Sequence, residues 1–265
     1  MATGFFVVSS WHLLWEAVAP ILNLTKKATI NCTQSGLTVI ASDPDWTVVM
    51  VLEIERTKFN VFSCLEGFSF GMNLEEFYKM MSKATNEEII TIFGDAREVK
   101  IGVSGPGYFG YRLLISREET LDELDIQHLT VLAAEYSYHV SVGIRRNPFR
   151  RAMTFAHQRR ATEVTVTITN TQVSFSTEKN EEMIVDTPGE FAIQPPITEL
   201  INPVQIKFSL RRMSSYLRAS LMTEAVWLFD SVDSGTMMLC PSSVGDFMYI
   251  FQTPRRPKIK LFSRA

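Results

Sequence analysis

At 265 residues the chain is long enough for two domains of ordinary size and for a core that needs no disulfide or metal staple. Its hydrophobic fraction of 46% and charged fraction of 21% are those of a globular protein and exclude a disordered or fibrous chain. The net charge of −3 is unevenly placed: residues 1–135 hold 10 Lys/Arg against 18 Asp/Glu (−8), and residues 136–265 hold 16 against 11 (+5), so one sign is concentrated on a particular surface.

In chain order, "GFFVVSSWHLLWEAVA" comes first. It has no basic opening and is broken by Glu16, so it reads as a strand and a helix rather than a secretion signal. The helix spans about 10–24, with Leu14, Val18 and Ile21 on one face. Short segments rich in Val, Ile, Thr and Phe then fill residues 27–116, separated by turn residues such as Gly36, Pro44 and Gly105. A second helix starts after Asn73, a good N-cap with Glu76 at the capping-box position, and buries Phe77, Met80 and Met81.

"LDELDIQHLTVLAAEYS" (121–137) reads either as an amphipathic helix or as a connector between domains. Beyond it, a third helix is predicted to start at Asn147, with Pro148 in its first position and Phe149, Met153 and Ala156 on its apolar edge. A fourth is predicted from about Ser209, with Leu210, Met213 and Leu217 facing inward. Each helix is preceded by one strand and followed by about three. That order occurs four times, twice on each side of the 121–137 stretch, which implies an α+β architecture of antiparallel sheets carrying helices on one face.

Cations gather on the helices. Residues 144–161 hold Arg145, Arg146, Arg150, Arg151, Arg159 and Arg160 and no acidic residue. The fourth helix offers Arg211, Arg212 and Arg218, and the second offers Lys79 and Lys83, with Glu75 in the same row. Helices packed on a sheet with cations turned outward suit a phosphate backbone, and no base-reading motif accompanies them.

No chemistry-bearing constellation appears, and no enzyme is expected. The cysteines, Cys32, Cys64 and Cys240, show no Cys-x-x-Cys spacing and read as buried free thiols of a reducing compartment. His12, His128, His139 and His157 have no metal-ligand spacing. The Gly-x-Gly-x-x-Gly of residues 105–110 is followed by a strand-like segment rather than a helix and reads as a hairpin turn. No metal or cofactor is expected. No stretch reaches the roughly 18 apolar residues of a membrane span, so no membrane partner is expected either.

Several blocks together resemble the sliding clamps of DNA replication, the proliferating cell nuclear antigen family. They are "SGLTVIASDPDWTVVMVL", "GMNLEEFYKMMSKATNEEIITI", "DIQHLTVLAAEYS" and "PVQIKFSLRRMSSYLRAS". The resemblance runs from about Phe5 to Thr253. It implies an N-terminal clamp domain (1–117), an interdomain connector (118–135), a C-terminal clamp domain (136–253) and a basic tail (254–265). It further implies a nuclear homotrimeric ring whose helices line a channel around duplex DNA and whose sheets form the outer wall. Such a ring acts as a polymerase processivity factor opened by a clamp loader. A subunit of a heterotrimeric checkpoint-type clamp and a viral-type non-ring processivity subunit are the alternatives.

The implied DNA-facing residues are Lys79, Lys83, Arg146, Arg150, Arg151, Arg211, Arg212 and Arg218. The first helix departs from the family, with Trp11, His12, Trp15 and Glu16 where the family places lysines. The implied groove for short peptides of replication and repair proteins is made by Leu129, Val131 and Leu132 of the connector. Ser42, Trp46 and Val49, together with Ile250, Phe251 and Gln252, complete it.

Overall fold

The computed structural model describes residues 4–64, 67–82, 88–95, 98–105, 108–116, 140–187, 189–194, 203–230 and 236–251. β1 (Gly4–Ser10) leads into α1 (Trp11–Leu22), whose first turn is capped by the Ser10 hydroxyl accepting from the Leu13 N–H. β2 (Lys27–Thr33), β3 (Gly36–Ser42), β4 (Val48–Glu55) and β5 (Val61–Cys64) follow. The second unit is β6 (Phe68–Asn73), α2 (Leu74–Met81), β7 (Ile89–Asp95), β8 (Glu98–Gly105) and β9 (Tyr108–Ser116). Asn73 caps α2 as predicted, accepting from the N–H groups of Glu75 and Glu76. β8 and β9 pair antiparallel with Gly105 opposite Tyr108, so the Gly-x-Gly-x-x-Gly stretch leads from strand to strand and not into a helix.

The other half repeats the order: β10 (Val140–Arg145), α3 (Arg146–Gln158), β11 (Glu163–Ile168), β12 (Val173–Thr177), β13 (Glu182–Val185) and β14 (Phe191–Gln194). The last unit is β15 (Val204–Ser209), α4 (Met213–Ala219), β16 (Ala225–Asp230), β17 (Thr236–Pro241) and β18 (Asp246–Phe251). The first and third units carry one strand more than the pattern predicts. β5 pairs back onto β1, and β14 onto β10, so each covers an edge its unit would otherwise leave open.

All pairings among the described strands are antiparallel. The sheets run β5-β1-β7-β8-β9, β14-β10-β16-β17-β18-β4-β3-β2-β6 and β13-β12-β11-β15. Units exchange strands: β1 of the first pairs with β7 of the second, and β6 of the second pairs with β2 of the first. The long sheet crosses between the halves where β18 pairs with β4, from Asp246 opposite Glu53 to Phe251 opposite Val48. Alternation along β4 sends Val48, Met50 and Leu52 into the main core and Val49 and Val51 to the opposite face.

Two helix starts differ from expectation. α3 begins at Arg146, not Asn147, and Pro148 is its third residue. The N–H groups of Arg145 and Arg146 donate to the carbonyls of Glu190 and Glu224 in neighbouring segments, so the helix starts with no side-chain cap. α4 begins at Met213 rather than near Ser209, because Arg212 adopts a left-handed conformation (φ 59). The shift moves the buried face of α4. Ser215, Tyr216 and Ala219 are buried, while Leu210, Met213 and Leu217 pack only partly against the core.

Candidate functional site

Polar contacts join the helices into one row, α2-α1-α4-α3. The Trp11 indole N–H at the start of α1 donates to the Met81 carbonyl at the end of α2, 2.6 Å. Trp15 stacks on Tyr78 of α2 at 4.2 Å and on Trp11 at 5.0 Å. α1 meets α4 through Ser215, whose hydroxyl donates to the Pro20 carbonyl at 2.7 Å. α4 meets α3 through Arg150, which donates to the Leu217 carbonyl at 2.7 Å and to the Ser220 hydroxyl at 3.3 Å. The lysine-poor face of α1 therefore carries an aromatic stack that fastens it to α2.

The predicted cations divide by what already holds them. Arg146 donates to the Leu221 carbonyl at 2.8 Å, so it and Arg150 serve the C-terminal end of α4, where a guanidinium satisfies free carbonyls and the helix dipole. Arg151 pairs with Glu190 at 3.2 Å, and Arg211 with Asp45 at 3.2 Å. Lys79 pairs with Glu75 at 3.3 Å, in the i,i+4 ladder that the sequence allowed, and Lys26 reaches the same carboxylate at 3.0 Å. The hydrogen bonds from Lys26 and then Lys79 hold the Glu75 carboxyl below the usual range. Arg212 and Arg218 are exposed and make no ion pair among the described residues. Lys83 lies outside the described residues. On α3 a shallow depression is lined by Asn147, Arg150, Arg151, Thr154, Phe155 and Gln158.

On the opposite face of the long sheet, a second apolar cluster straddles the β4–β18 seam. It is formed by Ile40, Val49, Val51, Met237 and Ile250, with Trp46, Phe229 and Met248 packed against it. Val49 and Ile250 both belong to this cluster and are buried, 0% and 1% exposed, and Ser42, opposite Val49, is half-buried. Phe251 is a correction. Strand alternation turns it to the other side, into the main core against Phe208 and Tyr216 at 5.4 and 5.9 Å. Leu129, Val131, Leu132 and Gln252 lie outside the described residues. Met237, Met248 and Phe229 were missed, although the same two-residue alternation along β16–β18 marks them.

Trp46 reaches this cluster from a constrained turn. Its backbone is left-handed (φ 55), a conformation that costs a bulky residue about 1–3 kcal/mol. Buried Asp43 holds the turn, its carboxylate accepting from the Val48 N–H at 2.9 Å and the Thr47 hydroxyl at 2.8 Å. Beside Trp46, the Asp45–Arg211 pair ties this turn to the residues leading into α4.

Antiparallel sheets on one side, a row of short helices on the other and four related units define the DNA-clamp fold. Residues 9–103 match the family model of the N-terminal domain of proliferating cell nuclear antigen. Over 257 residues the chain is 23% identical to the proliferating cell nuclear antigen of Chaetomium thermophilum, which covers 90% of this chain and 92% of that one. The fold matches the crystal structure of the Entamoeba histolytica protein of the same name with a TM-score of 0.73, at 17% identity, over 95% of this chain and 99% of that one. The chain thus has the fold of the sliding clamps and is similar to proliferating cell nuclear antigen along most of its length.

Proposed function

We propose that this chain is a subunit of a closed ring that encircles duplex DNA without sequence preference and serves as a polymerase processivity factor. One observation carries the reading. The β4–β18 seam joins the third strand after the helix of one unit to the last strand of another. β13 and β9 hold the same two places in the remaining units, and each ends a sheet unpaired among the described strands. A β9–β13 pairing between chains would repeat the internal seam, and three copies would close the ring head to tail. The helix row would then face the channel, with Arg212 and Arg218 free to bind phosphate.

Topology, rather than affinity, would keep such a ring on DNA while its weak contacts slide. Light scattering on the purified chain should give a trimer. The protein should stay on closed circular DNA at a salt concentration that removes it from linear DNA. A monomer lost equally from both would sink the reading.

A second reading has its own support. α1 carries no Lys or Arg, so among the described helices the cations lie mainly on α3, with Arg218 on α4 and Lys79 on α2. A subunit of a mixed ring would have that lopsided charge, and would fail to assemble alone. The seam cluster around Val49 and Ile250 is the proposed dock for short apolar peptides of polymerases and repair proteins, completed by Leu129, Val131 and Leu132 of the connector. Replacing Leu129 and Val131 with Asp should abolish polymerase stimulation and leave the ring intact. The site of action would be the nucleus, or the site of viral DNA synthesis for a virus-encoded chain.

A further inference from the structure

Cys32 and Cys64 are 32 residues apart in sequence and adjacent in space. Cys32 lies on β2 of the nine-stranded sheet, directly opposite Phe68 of β6. Cys64 ends β5 of the five-stranded sheet, opposite Phe5 of β1. The chain leaves β5 at Cys64 and enters β6 at Phe68, so the contact between Cys64 and Cys32 lies where the chain passes from one sheet to the other. The Cys64 thiol donates to the Cys32 backbone carbonyl at 3.2 Å. Cys240, the third thiol, is fully buried on β17 of the other half.

We infer that Cys32 and Cys64 are a cryptic dithiol that oxidises to a disulfide stapling β5 to β2 across this corner. The inference stands apart from the ring reading and needs neither DNA nor a second subunit. Burial, and then the neighbouring Cys64, raises the Cys32 thiol well above its ordinary range, so Cys32 is held protonated and slow to react in the folded chain. Access comes from the edge. β5 has four residues, pairs among the described strands with β1 alone, and has an exposed apolar residue, Val61, at its start. Short edge strands open at lower free energy than the core. Cys64 is 6% exposed and Cys32 0%, so a peroxide meets Cys64 first. One peroxide oxygen passes to the Cys64 sulfur, the O–O bond breaks, and water leaves a sulfenic acid. The Cys32 sulfur then attacks, the S–S bond forms as the S–O bond breaks, and a second water leaves. One peroxide is reduced and two thiols are oxidised.

The test treats the purified full chain with hydrogen peroxide, blocks remaining thiols with iodoacetamide and maps the peptides by mass spectrometry. The expected product is a Cys32–Cys64 cross-linked peptide, two hydrogens lighter than the sum of its parts, with Cys240 alkylated only after unfolding. The thermal midpoint of the oxidised chain should rise by several degrees and return on reduction. Cys64→Ser should show neither the cross-link nor the rise. Cys32 and Cys64 recovered uncrosslinked, a bridge to Cys240, or a bridge between chains would each overturn the inference. These readings come from the unsubstituted chain, so they hold even where a serine variant folds poorly.

Discussion

Ser215 and Pro20 are 195 residues apart and joined by one buried hydrogen bond, from the Ser215 hydroxyl on α4 to the Pro20 carbonyl on α1, 2.7 Å. Pro20 sits inside α1, where its missing N–H breaks the helical ladder, and the Asn23 N–H also donates to its carbonyl at 3.2 Å. The Ser215 hydroxyl also meets the Tyr249 hydroxyl at 3.1 Å, so one small side chain ties α1, α4 and β18 together. Burial pushes the Tyr249 phenol well up, and it stays protonated. Ser215→Val should remove both bonds and leave two buried oxygens without this partner. A loss of about 1–3 kcal/mol is expected, read from urea unfolding. Ser215→Ala should cost nearly as much, because the lost hydroxyl, not the added bulk, is the cause.

Arg150 and Arg218 carry the same charge in two different settings, and their alanine variants should separate. Arg150 is half-buried and bonded to Leu217 and Ser220, so Arg150→Ala should destabilise the chain by about 1–3 kcal/mol. Arg218 is exposed and makes no ion pair among the described residues, so Arg218→Ala should leave stability within about 0.5 kcal/mol. On DNA the ranking reverses. Arg218→Ala should flatten the plot of log affinity against log salt by about one unit, with Arg212→Ala doing the same. Equal effects of Arg150→Ala and Arg218→Ala on both measurements would remove the distinction.

The fold was legible where local signals are strong. The buried stripes Leu14/Val18/Ile21, Phe77/Met80/Met81 and Phe149/Met153/Ala156 all face the core. The start of α4 was not legible, because a left-handed Arg212 has no sequence signature of the kind that Gly provides. Four-residue strands such as β13 and β14 carry too few residues for alternation to show. Arg146 and Arg150 read as free cations because their partners, carbonyls about 70 residues away on another unit, exist only once the helices pack. Phe251 was assigned to the outer cluster beside Ile250, although neighbours on a strand face opposite ways.

Glu178 gives a pH signature. The Thr162 hydroxyl donates to its carboxylate, as do the N–H groups of Thr162 at 3.1 Å and Glu163 at 2.9 Å, fixing the chain as it leaves α3 for β11. The Thr162 hydroxyl is the main cause that holds the Glu178 carboxyl below its ordinary range. A carboxyl lowered on folding stabilises fully above its unfolded value of about 4.3, and that stability is lost as pH falls through the folded value. Glu178→Gln should therefore lower the urea midpoint at pH 7 and converge on the parent as pH falls through the lowered folded value. A constant difference across that range would show that the titration plays no part.

Gly143 offers a steric test of the second half. It lies in the middle of β10, opposite Trp227 of β16 and Ala192 of β14. A Cβ on Gly143 would stand 2.8 Å from two carbons of the Trp227 ring, closer than real contacts allow, so the indole lies flat across the glycine. Gly143→Ala has no backbone reason to destabilise, since no left-handed conformation is needed there. Its cost should come from displacing the indole, about 1–3 kcal/mol. Trp227→Leu in the same chain should recover most of that cost, because it removes the clashing ring. Trp227→Leu alone should be destabilising, through lost coverage of the strand. The double-mutant cycle should therefore give a coupling energy of at least about 0.5 kcal/mol, opposite in sign to the single losses. Additive losses would mean that the indole moves aside freely and that Gly143 is kept small for another reason.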